Sequence, residues 1–210
     1  MFSFRNYVFG AFCFLVSCGS TQTDQPLLLR ALAGISPPGE SGVAAPNVEQ
    51  LKAALTPAIL AQINIPVILA QVPERDAVAL LTKVGANQEV DTYLSADGIS
   101  ISLRDGMIVA TRGLGFDLVR ADTARPLAAV MAPPQTISRA YDHLDGENHL
   151  ISVAYECSYV KISSRQTKET CSSPQQRFEN VYQHNQAGKI INSRQWVSPQ
   201  IGWVIIELIQ

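Results

Sequence analysis

Cysteine carries the clearest chemistry in this chain, and its placement separates two roles. Cys18 closes the stretch Leu15-Val16-Ser17-Cys18 at the end of a short apolar run. A Leu three positions before the Cys and a small residue directly before it are what a lipoprotein signal peptidase favours. The expectation is therefore a cut before Cys18 and acylation of its thiol. Arg5 and the free amine supply a small positive region, and Tyr7 to Val16 supply the apolar one. In a helix that apolar run spans about 15 Å, half of the roughly 30 Å core of a bilayer. It is too short for a comfortable transmembrane anchor. The alternative is an ordinary signal peptide, cut elsewhere, with a chance Cys near its end. After Cys18 come Gly19 to Gln25, a polar stretch suited to spacing a domain from a membrane.

The remaining thiols agree with that address. Cys13 would leave with the leader, so Cys157 and Cys171 remain as one even pair in an oxidising compartment. A disulfide closing a loop of about 15 residues is worth roughly 3 kcal/mol in the chain-entropy view. A zinc or redox site is the alternative. Against it, there is no C-x-x-C, and His143, His149 and His184 lack ligand spacing. No metal and no cofactor is expected.

Two further segments group residue types that recognise ligands. Thr111-Arg112-Gly113-Leu114-Gly115-Phe116-Asp117 puts an Arg and two glycines at the end of a strand pattern. Ser193-Arg194-Gln195-Trp196 puts Arg, Gln and Trp together. An indole offers an apolar face and its polar neighbours supply directed hydrogen bonds, a palette that suits a sugar. Thr111, Arg112, Asp117, Arg194, Gln195 and Trp196 are therefore the candidate surface for a ligand or partner. The competing reading is packing, with Trp196 in the core and Arg112 or Arg194 paired to a carboxylate such as Asp117 or Glu207. No catalytic residue is assigned. The chain has no G-x-S-x-G, H-E-x-x-H or P-loop. Asp97, Asp105 and Asp145 sit in turn signals. Asp117 and Asp122 could form a glycosidase pair only if held about 5 to 10 Å apart, and nothing in the sequence supports that.

The elements that would hold these residues are mostly strands. Asn47 reads as an N-cap, with Val48, Leu51, Leu55 and Ile59 at helical spacing. Thr56-Pro57 is a second cap and first-turn pair, giving two short helices or one kinked helix before Pro66. Strand patterns follow at 66–72, 77–84, 89–95, 99–104, 107–111, 136–144, 149–162, 177–184, 189–197 and 203–209. Ile99, Ile101 and Leu103 alternate with polar residues, and Asp105-Gly106 is a strong hairpin turn. Residues 121–135, with three prolines, read as a crossover with a short helical turn. Cys157 and Cys171 are placed in adjoining strand and loop, with Ser158 to Thr170 as a long polar excursion. The fold class expected is mainly β: an antiparallel half-barrel or sandwich with one or two short N-terminal helices.

The division expected is a signal peptide at 1–17, a lipidated Cys with flexible tether at 18–46, and a β-rich periplasmic domain at 47–210. Charged residues make up 16%, the formal net charge is −2 and the pI about 5.9. Nucleic acid is not an expected partner, since that would need a basic patch or stripe.

The blocks Asp97 to Leu118, Glu156-Cys157, Phe178 to Tyr182 and Asn192 to Pro199, followed by Gly202 and Ile206-Glu207, resemble the YjbF / group 4 capsule polysaccharide lipoprotein (GfcB) family in order and spacing. Phe116 and Gln183 depart from its usual pattern. The resemblance implies an antiparallel β half-barrel without established enzymatic activity. It also implies an outer-membrane lipoprotein encoded with exopolysaccharide or capsule machinery. Together with the Cys18 motif, the β-rich domain and the lack of a catalytic set, the expectation is a non-catalytic accessory in exopolysaccharide or capsule secretion. Gly19 after the Cys, similar to enterobacterial lipoproteins, favours sorting to the outer membrane. The expected partners are the membrane itself through the lipid, polysaccharide export proteins including an outer-membrane β-barrel, and glycan. The alternative activities are a lipid- or glycan-binding carrier and, third, a glycan-modifying enzyme.

Overall fold

The computed structural model describes residues 47–209; the segments expected to be leader and tether, with Cys18, lie outside the described residues. Two short helices come first. In α1 (Val48–Ala54) the Asn47 side chain accepts from Gln50 N and the Gln50 side chain accepts from Asn47 N, a reciprocal capping box. In α2 (Pro57–Leu60) Thr56 caps and proline occupies the first turn, where a missing N–H costs nothing. The sequence left one kinked helix open; the chain forms two.

Twelve strands follow among the described residues: β1 (Val67–Val72), β2 (Ala77–Asn87), β3 (Val90–Leu94), β4 (Ser100–Arg104), β5 (Met107–Arg112), β6 (Leu118–Ala121), β7 (Gln135–Leu144), β8 (Leu150–Ser163), β9 (Gln166–Ser172), β10 (Arg177–His184), β11 (Ile190–Ser198) and β12 (Gly202–Leu208). They form one sheet in the order β5-β4-β3-β2-β1-β12-β11-β10-β9-β8-β7-β6. The first and last strands pair in the middle, and every neighbour is antiparallel. The sheet curls until its two edges, β5 and β6, meet. This is a single, nearly closed barrel-like sheet and not a sandwich of two. A third helix, α3 (Ala124–Met131), joins β6 to β7 and packs on β7 and β9.

Side-chain alternation explains how this sheet is filled. Ile68, Ala70 and Val72 of β1 join the main core inside the curl, while Val67 and Leu69 join Leu51, Leu55 and Ile63 of the helical segment on the other side. β1 is buried on both faces, which is why it reads as an unbroken apolar run. Most strands begin and end within two residues of their sequence patterns. Two were not foreseen. β6 is a four-residue strand, and β9 lies where a polar excursion was expected. Ser158 to Thr170 is a hairpin formed by the end of β8 and most of β9, and both cysteines are on strands. The reason is that β9 turns Thr167, Glu169 and Cys171 inward, so its buried face carries little of the apolar signal that marks a strand.

The β4–β5 turn behaves as its Asp-Gly pair demands. Asp105 has φ +48° and Gly106 has φ +87°, the left-handed pair of a two-residue hairpin turn. A Cβ on Gly106 would also meet the Ile190 Cβ at 2.7 Å. The hairpin tip is thus pressed against β11 on the far side of the curl.

Candidate functional site

Thr111, Arg112 and Asp117 come together where the two sheet edges meet. The Asp117 carboxylate accepts from Thr111 Oγ1 at 2.7 Å, Gly113 N at 2.9 Å and Leu114 N at 3.2 Å. Thr111 Oγ1 accepts in turn from Leu118 N at 3.0 Å. Arg112 Nη1 donates to the carbonyls of Thr111 and Leu118 at 2.5 and 3.1 Å. The three side chains therefore join β5 to β6 across the gap in the sheet. Thr111 and Asp117 are 1% and 6% exposed, and only Arg112 faces solvent. The ion pairs weighed from sequence are replaced by other contacts: Arg112 serves backbone carbonyls, and Glu207 pairs with Lys52.

Arg194, Gln195 and Trp196 diverge into three environments. Arg194 holds its guanidinium 3.8 Å from the Trp203 ring centre, and Trp203 Nε1 donates to Glu179 O at 2.8 Å. Gln195 points across the interior: its Nε2 donates to Gly106 O at 2.8 Å and to Ser193 Oγ at 2.9 Å, and its Oε1 accepts from Ile108 N at 2.8 Å. Trp196 is 2% exposed. It stacks on Phe178 at 4.4 Å and meets Tyr141 and Tyr155 edge-on at 5.5 and 5.9 Å. These rings fill the side of the curl bounded by β7 to β11. Buried His143 stands beside them. Burial pushes its imidazole below the ordinary histidine value, against the pull of Asp142.

The same side holds an ion pair that the sequence analysis did not single out. Arg139 of β7 and Glu169 of β9 are 1% and 0% exposed. Arg139 Nη1 reaches both carboxylate oxygens, at 2.9 and 2.8 Å, and its Nε donates to Asp122 O at 2.9 Å. The guanidinium lies 4.7 Å from the Tyr141 ring centre. Glu169 also accepts from Asn180 Nδ2 and Tyr182 Oη, each at 2.7 Å, and from Tyr159 Oη. Asn180 Oδ1 accepts from Trp196 N at 2.7 Å, tying the pair to the ring cluster. Burial opposes the charge on Glu169, but Arg139 and the three side-chain donors outweigh it and hold the carboxyl below its usual range. Burial raises the Tyr159 and Tyr182 hydroxyls, and the neighbouring carboxylate raises them further. Both stay protonated and keep donating. Every member is satisfied from within, as a buried network must be. A sequence signal existed: Ile137-x-Arg139-x-Tyr141 places an Arg on an apolar face at period two.

Cys157 and Cys171 lie directly opposite on β8 and β9 and form a disulfide, both 0% exposed. Their sulfurs and a Glu169 oxygen lie within 4.8 Å of one another, a spacing that could otherwise suit a metal. The sulfurs are bonded to each other and the carboxylate is held by Arg139.

The family model described as group 4 capsule polysaccharide lipoprotein gfcB, YjbF matches residues 48–209, the whole described domain apart from its cap. The chain belongs to the YjbF family. Its fold is similar to the crystal structure of the hypothetical lipoprotein YmcC from Escherichia coli (K12). The TM-score is 0.61 at 16% sequence identity, covering 80% of this chain and 98% of that one. Comparison with curated protein sequences gives no match. The YjbF membership and the barrel-like antiparallel sheet are those expected from the sequence blocks. Among the described residues of this YjbF chain, no helix is long and apolar enough to cross a membrane.

Proposed function

We propose that this YjbF-family chain is a non-catalytic accessory of exopolysaccharide or capsule secretion, anchored at the outer membrane by acylated Cys18 and facing the periplasm. The observation that carries the reading is the match to a capsule polysaccharide lipoprotein family across the folded domain. Two features support the non-catalytic part. The buried carboxylate of Glu169 has its acceptor positions taken by Arg139, Tyr159, Asn180 and Tyr182. Asp117 is likewise taken by Thr111 of β5 and the backbone of Gly113 and Leu114. Polysaccharide export proteins, including an outer-membrane β-barrel, are the partners such a tethered domain would meet.

The test is a deletion strain grown under conditions that induce polysaccharide. Reduced extracellular polysaccharide, restored by the wild-type gene and not by Cys18→Ser, is the expected result. Normal secretion by the deletion strain overturns the proposal. A carrier role predicts lipid co-purifying with the anchorless domain, read by mass spectrometry. The rings of Tyr141, Tyr155, Phe178 and Trp196 pack against one another in the interior.

A further inference from the structure

The Gln195 clasp divides the interior. On one side lie the rings and the buried ion pair. On the other, between the β2–β3 and β4–β5 turns and the start of β11, a cavity of about 160 Å³ opens at the end of the barrel. An engineered apolar cavity of about 150 Å³ accepts a benzene ring, so the space suits one six-membered ring. Its floor is apolar, with Ile68, Leu103 and Ile206. Tyr93 lines it and is only 5% exposed; burial raises its hydroxyl's pKa and the nearby Asp91 carboxylate raises it further. That hydroxyl keeps contact with solvent, so a ligand group placed there would replace water and not a protein partner. Exposed Asp105 and Lys189 and half-buried Asn192 also line the space.

Charge narrows the ligand class. Of the other acidic groups at the rim, Asp91 is paired to Lys83 at 2.7 Å and Glu89 lies 3.8 Å from Arg104. Asp105 and Lys189 then offset each other, so the site carries no excess charge. Vicinal hydroxyls that donate to a carboxylate and exchange bonds with an amide and a phenol fit these groups, and the C–H face of a sugar ring fits the floor.

We propose that this cavity binds a single neutral pyranose unit of a polysaccharide through Tyr93, Asp105, Lys189 and Asn192. The proposal rests on the secretion reading given above and names a glycan contact for it. It lies away from the Arg112 and Arg194 segments to which the sequence pointed.

The test is saturation-transfer NMR and calorimetry on the mature acylated chain in a zwitterionic detergent. The probes are the methyl glycosides of glucose, galactose and mannose, with methyl glucuronide and glucosamine as charged controls. At least one neutral glycoside should bind at millimolar concentration. Tyr93→Phe, which removes one oxygen and leaves the ring, should weaken it about three- to tenfold, the range expected for one hydrogen bond. Asn192→Ala should do the same. Binding by none of the neutral probes, binding unchanged in both variants, or tighter binding of a charged control overturns the assignment. Defective secretion in the deletion strain with no sugar binding rejects this site and leaves the proposed function standing. Sugar binding with normal secretion does the reverse.

Discussion

Glu169 Oε2 lies 2.8 Å from Arg139 Nη1 in the interior of the sheet, thirty residues away along the chain and out of contact with solvent. Such a pair contributes little net stability while intact, because the desolvation of both charges offsets their attraction. Breaking it from one side is another matter. Arg139→Met would leave a carboxylate buried among donors with no counter-charge and should cost about 3–5 kcal/mol. Urea denaturation of the folded domain measures this. A loss under about 1 kcal/mol would mean that water or a rearranged neighbour replaces the guanidinium.

The same pair sets a pH dependence. The folded carboxyl of Glu169 titrates below its ordinary value of 4.5. Its contribution is therefore complete above about pH 5 and drains as pH falls through the lower folded value. In Arg139→Met, burial is no longer outweighed, the folded value rises, and acid unfolding should begin at higher pH than in the wild type. Far-UV circular dichroism against pH, for both proteins, reads the displacement. An unchanged acid midpoint in the variant would remove Glu169 from the acid transition.

The disulfide joins strands that are already paired, and its loop spans a sequence separation of 14. The double variant Cys157→Ala/Cys171→Ala should lose about 3 kcal/mol if chain entropy dominates. Both sulfurs are inaccessible, so a reductant and an alkylating agent should label neither Cys until denaturant is added. Mass spectrometry reads the labelling. Rapid labelling of the folded protein would show that the β8–β9 hairpin opens locally.

Strands whose inner faces are apolar were legible, as with Ile101 and Leu103 in β4. The Asp105-Gly106 turn was legible because its chemistry is local. The interior of the β7–β10 side was not. There the inward positions are Arg139, Thr167, Glu169 and Asn180, residue types that by default face water. Their burial follows from pairings between strands, which no single window contains. Of the six candidate residues, Thr111 lies in a strand pattern that becomes β5, and Arg194, Gln195 and Trp196 lie in one that becomes β11. What the sequence could not show is that Gln195 reaches Gly106 and Ile108, 89 and 87 residues away. Tyr93 was passed over because a place on the cavity wall is a property of the fold and not of the residue.

Gln195 is the device that holds the β4–β5 hairpin against β11. Gln195→Leu keeps most of the volume but strands Ile108 N–H and Gly106 C=O. The orphaned Ile108 N–H is buried and should cost about 1–3 kcal/mol, while the part-buried Gly106 carbonyl can turn to water. Hydrogen exchange at the Ile108 amide should accelerate markedly, more than at amides of β8 or β9. Because Gln195 holds Gly106 and Ser193, which line the cavity beside Tyr93, any sugar affinity measured there should fall in this variant. Unchanged protection at Ile108 would show that the clasp does not hold the hairpin in solution.

Asp117 separates a structural seam from a catalytic carboxylate. Its oxygens accept from Thr111, Gly113 and Leu114, so Asp117→Asn replaces one acceptor oxygen with a donor facing an N–H or hydroxyl. The expected loss is about 1.5–3 kcal/mol, the scale of a hydrogen bond to a charged group. Thr111→Val removes the partner hydroxyl, which also serves Leu118 N. The two substitutions should be strongly non-additive, since they empty one network. A seam role predicts that restoration of secretion by these variants follows the amount of folded protein in the membrane fraction. A catalytic role for Asp117 predicts the opposite pattern for Asp117→Asn: normal folded amounts with no restoration. Quantitative blots of the membrane fraction beside polysaccharide yield decide between them, and equal treatment of Asp122→Asn and Glu207→Gln extends the same decision to the other carboxylates weighed from the sequence.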